Sequence, residues 1–253
     1  MKYSALESQR FGLTVYRGNA DKLDAYGLMR TIVDNKVDVV ILRLPSSEQH
    51  TLHQLQIMPF PVVVADTLVY YHCDLTVALP KPLRNTDLEI RVAGPADYDL
   101  LNCLIDEIFQ DYSTHYYSNP VFDKQQILDG YKEWTMSYLD EDPNRVCFLF
   151  YRHGRPIAFV TSDLSAECGE IVLGGVVPDA QGGGVYSDFI RHSMKYMADR
   201  GITKVKTSTQ IQNYAVQKVW IREGYTLTNS YCTVHINPLL SQRMSLMLTD
   251  EHN

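Results

Sequence analysis

"VVPDAQGGGVYSDFIRHSMKYM", residues 176–197, passes from an apolar run through three consecutive glycines into a helical pattern. Glycine weakens strands and helices alike, so Gly182, Gly183 and Gly184 at their junction need a local cause. One cause is close approach of backbone N–H groups to an anion at a helix N-terminus, where the peptide dipoles favour negative charge. The other is a flexible turn with no ligand. Neither common phosphate motif fits. A P-loop has Lys and then Ser or Thr after its last glycine, whereas Val185 and Tyr186 follow here. The early βαβ context of a dinucleotide fingerprint is also missing.

Working outward, the flanking pattern predicts a mixed sheet. LEIRVAG (88–94) reads as a strand, and PADYDLLNCLIDEIFQDY (95–112) as a helix with Pro95 in its first turn. STHYYSNPVF (113–122) is an aromatic-rich loop, followed by a second helix over 124–140. RVCFLFYRHGRPIAFVTSDLS (145–165) alternates as a hairpin turning at His153-Gly154. GEIVLGGVVP (169–178) is the strand before the glycines, and a helix runs from about 185 to 200. ITKVKTSTQ (202–210) is a strand, NYAVQKVWIREG (213–224) a helix, and YTLTNSYCTVHI (225–236) the final strand. The order β-α-α-β-β-β-α-β-α-β gives an α/β (mixed) fold with helices on the sheet faces.

A seam near LPKPLRNTDLEIR (79–91) divides the chain into an N-terminal α/β domain, 1–85, and a larger domain, 86–253. The first part is expected to hold a helix over Asp21–Asn35, a strand at 37–44 and a short capped helix at 46–58. Residues 61–79 read as two strand runs broken near Ala65-Asp66.

Composition narrows the partners. The 253 residues carry a net charge of -7, which argues against nucleic acid or an anionic membrane, so a bound anion must be held by local N–H groups. Five dispersed cysteines without CxxC spacing suit reduced thiols better than disulfides or zinc, and no signal peptide or spanning stretch is evident. Cytoplasmic location is the expectation.

A second stretch, STQIQNYAVQKVWIREGY (208–225), sharpens the reading. Together with the glycine loop it resembles the GNAT superfamily of N-acyltransferases. That family's Q/R-x-x-G-x-G/A loop is matched by Gln181 and Gly184, with Tyr186 standing where a small residue is usual. Its later N-x-x-A-x-x-L-Y-x-x-x-G-F segment is matched by Asn213, Val216, Val219, Gly224 and Tyr225, with Trp220 in place of the tyrosine. The chain is also similar to the dTDP-fucosamine (sugar-nucleotide) acetyltransferase group. The parts that carry this are ESQRFGLTVYRG (7–18), DVVILRLP (38–45), DTLVYYHCDL (66–75) and YSTHYYSNPVFDKQQILDGYKEW (112–134).

The resemblance implies acetyl-CoA as co-substrate and no metal. Val176, Val177, Gln181, Gly182, Gly183, Gly184, Val185, Tyr186 and Asn213 would hold it. Val176 and Val177 could equally be sheet core, and Asn213 a helix cap. Trp220 occupies the position of the family's tyrosine acid, and an indole N–H can donate a hydrogen bond but is no usable acid. Tyr214, Tyr225 and Tyr231 are the other phenols for that role. His115 is the candidate base, against the alternative of a surface histidine. Glu170 has the same two readings. Tyr116, Tyr117 and Phe122, with Tyr112, would present flat faces to a sugar or base, or else form core. Arg145, Arg152 and Arg155 are expected to face solvent.

The function expected is N-acetyltransfer to a primary amine of a small polar acceptor, a nucleotide-linked amino sugar, by direct transfer. A non-catalytic acyl-CoA-binding regulator, or an enzyme for a polyamine or peptide amine, are the rivals. The expected partners are the small-molecule acceptor and a second copy of the chain in a homodimer, with neither nucleic acid nor membrane.

Overall fold

The computed structural model describes residues 1–110 and 112–242. In chain order it contains β1 (Lys2–Tyr3), α1 (Ala5–Phe11), β2 (Val15–Asn19), α2 (Ala25–Asp34), β3 (Val39–Pro45) and β4 (Val62–Asp74). Then follow β5 (Leu88–Val92), α3 (Tyr98–Phe109), α4 (Lys124–Met136), β6 (Arg145–Arg152), β7 (Arg155–Leu164) and β8 (Gly169–Val176). The chain continues with α5 (Val185–Ala198), β9 (Lys204–Gln210), α6 (Tyr214–Arg222) and β10 (Thr226–Ile236). From β5 onward this is the order expected from the sequence, and the fold class is mixed α/β. The end of the expected 86–253 domain, residues 243–253, lies outside the described residues.

The first part of the chain differs from expectation in three places. β1, α1 and β2 were not anticipated; β1 has two residues and β2 five, too short for a period to register. Residues 61–79 hold one strand, β4, that runs unbroken through Ala65-Asp66. Asp66 is a poor strand former, yet its carboxyl lies beside Thr233 and Arg43 and needs no turn. The segment Ser46–Ile57 is a 3-10 helix with little amphipathic bias and one fully buried side chain, Leu55.

Two compact units form, and neither is a single stretch of chain. The first comprises Met1–Leu68, Ser113–Ile127 and residues from Asn229; the second comprises Val69–Tyr112 and Leu128–Thr228. The seam at 79–91 therefore lies inside the second unit.

In the first unit β2 pairs with β3 in parallel, and β3 with β10 antiparallel, placing Leu44 opposite Cys232 and Leu42 opposite Val234. Alternation puts Val40, Leu42, Leu44, Cys232, Val234 and Ile236 on one face, where they bury against Leu28 and Ile32 of α2. The opposite face carries Arg43, Thr233 and His235.

In the second unit the strand order is β4-β9-β8-β7-β6-β5. β5 to β8 are antiparallel neighbours, and β8 with β9 is parallel. The β6–β7 turn is made by His153 (φ 51°) and Gly154 (φ 77°), the left-handed pair a two-residue hairpin requires. Val146–Phe150 and Ile157–Ser162 are buried without alternation, because both faces of these strands are covered. Phe148 and Phe150 meet His192 of α5. Phe159, on the other face, meets Phe109 of α3.

Candidate active site

Pairing between β8 and β9 stops early. It covers only Gly169 with Val205, Glu170 with Lys206 and Ile171 with Thr207. Thr207 closes this last step by donating its hydroxyl to the Ile171 carbonyl at 3.0 Å. Beyond it the strands part. β8 also bulges there, since Thr161 pairs with Leu173 while Ser162 pairs with Ile171, which leaves Val172 over. A bulge bends its strand and re-aims its side chains. The Thr161 hydroxyl mends the irregularity, accepting from the Leu173 N–H at 3.1 Å and donating to the Leu173 carbonyl at 3.1 Å.

A cavity of about 80 Å³ lies where the strands part. Its walls are Ile171–Gly174 of β8, Thr207–Thr209 of β9, Phe109 and Tyr112, Tyr186 and Phe189 of α5, and Asn213, Val216 and Trp220 around α6. Gly174 has no substitute here. A Cβ on it would sit 2.7 Å from the Phe159 carbonyl oxygen and 3.1 Å from Val160 Cα.

Below the cavity the glycine loop turns into α5. Gly182 (φ 80°) and Gly184 (φ 88°) adopt left-handed backbone, and Gly184 is the residue that starts the helix. Among the described residues, no protein group accepts from the N–H of Gly182, Gly183 or Gly184. Gln181 steadies the loop by donating its side-chain amide to the Val176 carbonyl at 3.0 Å.

A strap from the segment before β5 is tied to the same helix. The buried Asp188 carboxylate accepts from the backbone N–H of Arg84 (2.6 Å) and Asn85 (3.0 Å) and from the Asn85 side chain (2.7 Å). Asn85 also donates to the Gly183 carbonyl at 3.1 Å. Arg191, one turn further along α5, donates to the Pro82 carbonyl at 2.7 Å and pairs with Glu223 at 2.9 Å. The Arg84 guanidinium consequently lies about where a side chain on Gly184 would reach, 3.3 Å from its Cβ position.

Residues 105–225, just under half of the chain, match the Acetyltransferase (GNAT) family. That stretch is similar to the GNAT acetyltransferases. The fold is shared with solved structures at low identity. One is a conserved protein of unknown function from Staphylococcus epidermidis, with 14% identity, a TM-score of 0.61, and coverage of 86% of this chain and 82% of that one. A GCN5-related N-acetyltransferase from Sphaerobacter thermophilus has 15% identity and a TM-score of 0.57, with 78% of this chain covered and 59% of that one. A GCN5-related N-acetyltransferase from Kribbella flavida has 12% identity and a TM-score of 0.55, covering 88% and 81%. No curated protein sequence matches the chain. Acetyl transfer is the general activity of that family.

The structure sorts the residues expected from sequence. Tyr186, Asn213 and Trp220 line the cavity together. Asn213 starts α6 without capping it through its side chain, whose amide donates to Thr209 Oγ1 at 3.1 Å. Gly182, Gly183 and Gly184 form the free N–H cradle, and Val185 is buried beneath it. Val176, the last residue of β8, and Val177, just after it, are buried. The Val176 carbonyl is taken by Gln181, the Val177 N–H bonds to the Ile157 carbonyl at 2.9 Å, and the cavity wall is Val172–Gly174 instead.

Trp220 is 2% exposed, its ring 5.4 Å from that of Tyr71, and its Nε1 has no hydrogen-bond partner. Tyr225 is buried with an unpartnered hydroxyl, and burial drives that phenol well above its ordinary range. Tyr214 is 65% exposed at the start of α6 and is not among the cavity residues. Glu170 pairs with Lys206 at 2.9 Å. Arg155 is exposed as expected, pairing with Glu107 and Asp179, while Arg152 is half-buried against Asp87.

His115, Tyr116, Tyr117 and Phe122 all belong to the first unit and are not cavity residues. His115 is no surface histidine. It is buried, with Nδ1 2.9 Å from His235 Nε2, and burial holds it well below its ordinary range and hence neutral. Tyr116 donates its hydroxyl to Glu7, and Phe122 packs on Phe11 at 4.5 Å. Tyr117 lies near the Lys124 ammonium.

Sequence reading missed the β8 bulge, Gly174, the bond from Tyr112 to Gln210, and the Asp188 strap. The adjacent pair Gly174-Gly175 inside a strand was the available signal for the first two.

An acyl-CoA fits these residues. Its phosphates would meet the free N–H groups of the cradle and its acyl end the walls of the parted strands. Among the described residues no helix is long and apolar enough to cross a membrane, and no group of three or more His, Cys, Asp or Glu could hold a metal.

Proposed function

We propose that the protein is an acetyl-CoA-dependent N-acetyltransferase acting on a primary amine of a small polar acceptor, a nucleotide-linked amino sugar. The observation that carries the reading is the parting of β8 and β9 over a cavity, directly beside a glycine loop with unused N–H groups. Acetyl-CoA supplies an activated acyl group. The chain's residues bind and orient it: the loop of Gly182–Gly184 at the phosphates, Val172–Gly174 and Ser208–Thr209 along the arm, and Asn213 and Trp220 at the thioester end. Transfer is direct. The amine nitrogen bonds to the acyl carbon, the C–S bond breaks with its electron pair going to sulfur, and the amine proton leaves to water.

The acceptor class rests on the likeness of residues 7–18, 38–45, 66–75 and 112–134 to the sugar-nucleotide group. One structural neighbour, 13% identical with a TM-score of 0.58, is described as a glucosamine N-acetyltransferase region in a fungal multi-domain enzyme; the likeness covers 83% of this chain and 26% of that one. In this reading the 86–253 part carries the acyl-CoA site, residues 1–85 contribute only the strap, and the protein works as a cytoplasmic homodimer. The test is thiol release from acetyl-CoA against amino sugars, nucleotide amino sugars, polyamines and peptides. Release with a polyamine and no sugar rejects the acceptor class.

A second reading has its own observation. The cavity is small, and Tyr186 and Trp220 put two bulky rings into it where the family carries a small residue and a tyrosine. This favours a non-catalytic acyl-CoA binder. Acetyl-CoA that binds yet releases no thiol with any amine selects it.

A further inference from the structure

The two places where the chain departs from the GNAT pattern, Tyr186 and Trp220, meet in one cavity. Tyr186 is in the first turn of α5, and its ring rests 4.2 Å from that of Phe189. The Trp220 indole N–H is directed at the Tyr186 hydroxyl closely enough to favour its ionised form, yet it falls short of a well-formed hydrogen bond there and has no other partner among the described residues. A buried donor with nothing to bond is rare in native proteins and points to an acceptor that arrives later.

Of the neighbouring phenols, Tyr225 also has an unpartnered hydroxyl but is not among the cavity residues, and two others are engaged. Tyr112, the other tyrosine of the cavity wall, gives its hydroxyl to Gln210. Tyr71, stacked near Trp220, donates to Gln217 at 3.1 Å. Tyr186 alone among the cavity tyrosines has no protein acceptor among the described residues.

Building on the acyl-transfer reading above, we propose that the Tyr186 hydroxyl and the Trp220 indole N–H form a donor pair for the sulfur of the leaving thiol. Two fixed hydrogen bonds to the developing thiolate take the place of one phenol acid. Burial raises the Tyr186 phenol far above the range of a free thiol, ~8.5, so the phenol keeps its proton. It stabilises the sulfur's new electron pair as a hydrogen-bond donor, and the thiolate takes its proton from water.

The test uses the full chain and reads binding, with no acceptor needed. Coenzyme A is titrated by calorimetry from about pH 6.5 to about 9.5, either side of the free thiol's ~8.5. The S-methyl thioether, which cannot ionise, is the control. The wild type should bind coenzyme A more tightly as the thiol ionises, with no such rise for the thioether. Tyr186→Phe and Trp220→Phe should each cut the rise by about tenfold, the worth of one hydrogen bond to a charged group. Trp220→Tyr placed in the Tyr186→Phe background should restore it. A rise that survives Tyr186→Phe in a folded protein overturns the proposal. So does a tighter grip by Tyr186→Ala at every pH, which would make the ring an obstruction. Absence of any coenzyme A binding by the wild type rejects the acyl-CoA reading itself, whereas binding with a flat pH profile rejects the donor pair alone.

Discussion

Replacing Asp188 by Asn tests how the glycine loop is held. The carboxylate accepts three N–H groups, one at Oδ1 and two at Oδ2, with no cation within ion-pair distance among the described residues. An amide can keep its carbonyl toward the two donors from Asn85. Its NH₂ then faces the Arg84 N–H, donor against donor. The loss is one bond to a charged acceptor, about 1.5–3 kcal/mol, plus weakening of the other two as the charge disappears. Altogether Asp188→Asn should destabilise the protein by about 2–4 kcal/mol and lower the melting temperature by roughly 4–16 °C for a chain of this size. The tie from Arg191 to Pro82 remains, so the strap should loosen at Arg84 and Asn85 without detaching. Calorimetry measures the first effect, and isotope exchange at the Arg84 and Asn85 amides the second. Melting within about 1 °C of wild type for both Asp188→Asn and Asp188→Ala would refute the reasoning, since such a shift is worth well under one hydrogen bond.

Gly174→Ala should cost about 1–3 kcal/mol, because the new methyl meets strand backbone that cannot move aside; an unchanged denaturant midpoint would contradict it. Gly184→Val combines a left-handed φ of 88° with a clash at the Arg84 guanidinium, so it should remove the melting-temperature rise given by acetyl-CoA. Retained binding in the folded variant would reject the cradle. The buried histidines make stability depend on pH. Burial, with Arg43 and Arg17, pulls His235 down to about 3, and His115 is pulled in the same direction by burial and by His235. Both folded values lie below the unfolded one of about 6.5, so the unfolded state binds more protons in between. Their stabilisation is complete above about pH 6.5 and falls as pH drops below it; His235 should lose about 1.4 kcal/mol per pH unit toward about 3, and His115 adds to the loss in the same direction. A urea midpoint that stays level from about pH 6.5 to about 4.5 would count against this account.

The second half of the fold was legible because its elements are long and its punctuation strong. Gly154, the triple glycine and Gly224 each mark a boundary that the structure keeps. β1 and β2 were not legible, because two and five residues give no period to count. At the site, the glycine loop, Asn213 and Trp220 could be found by motif, since the backbone requirement fixes residue type locally. The Asp188 strap could not. Its partners lie more than a hundred positions away, and an aspartate on the first turn of a helix looks like an ordinary dipole contact. His115 misled for a related reason. A histidine in a polar loop gives no hint that a second histidine, 120 positions later, will bury it.

The segmented first unit has a consequence for how the chain is made. Ile41 pairs with His235 and Val40 with Ile236, so one edge of β3 waits for a partner that follows the whole of the intervening sheet. During synthesis, β2, α2 and β3 emerge early and can cover the apolar face of Val40, Leu42 and Leu44 in part, but one edge of β3 has nothing to pair with until β10 arrives. The second unit, apart from Thr226–Thr228 at the start of β10, lies entirely between them and can mature first. Closing so long a loop is slow, and it leaves an unpaired strand edge exposed in the meantime. β10 therefore seals the free edge of β3 only after the second unit has been made, and truncation just before Thr226 should leave a nascent chain that aggregates through β3.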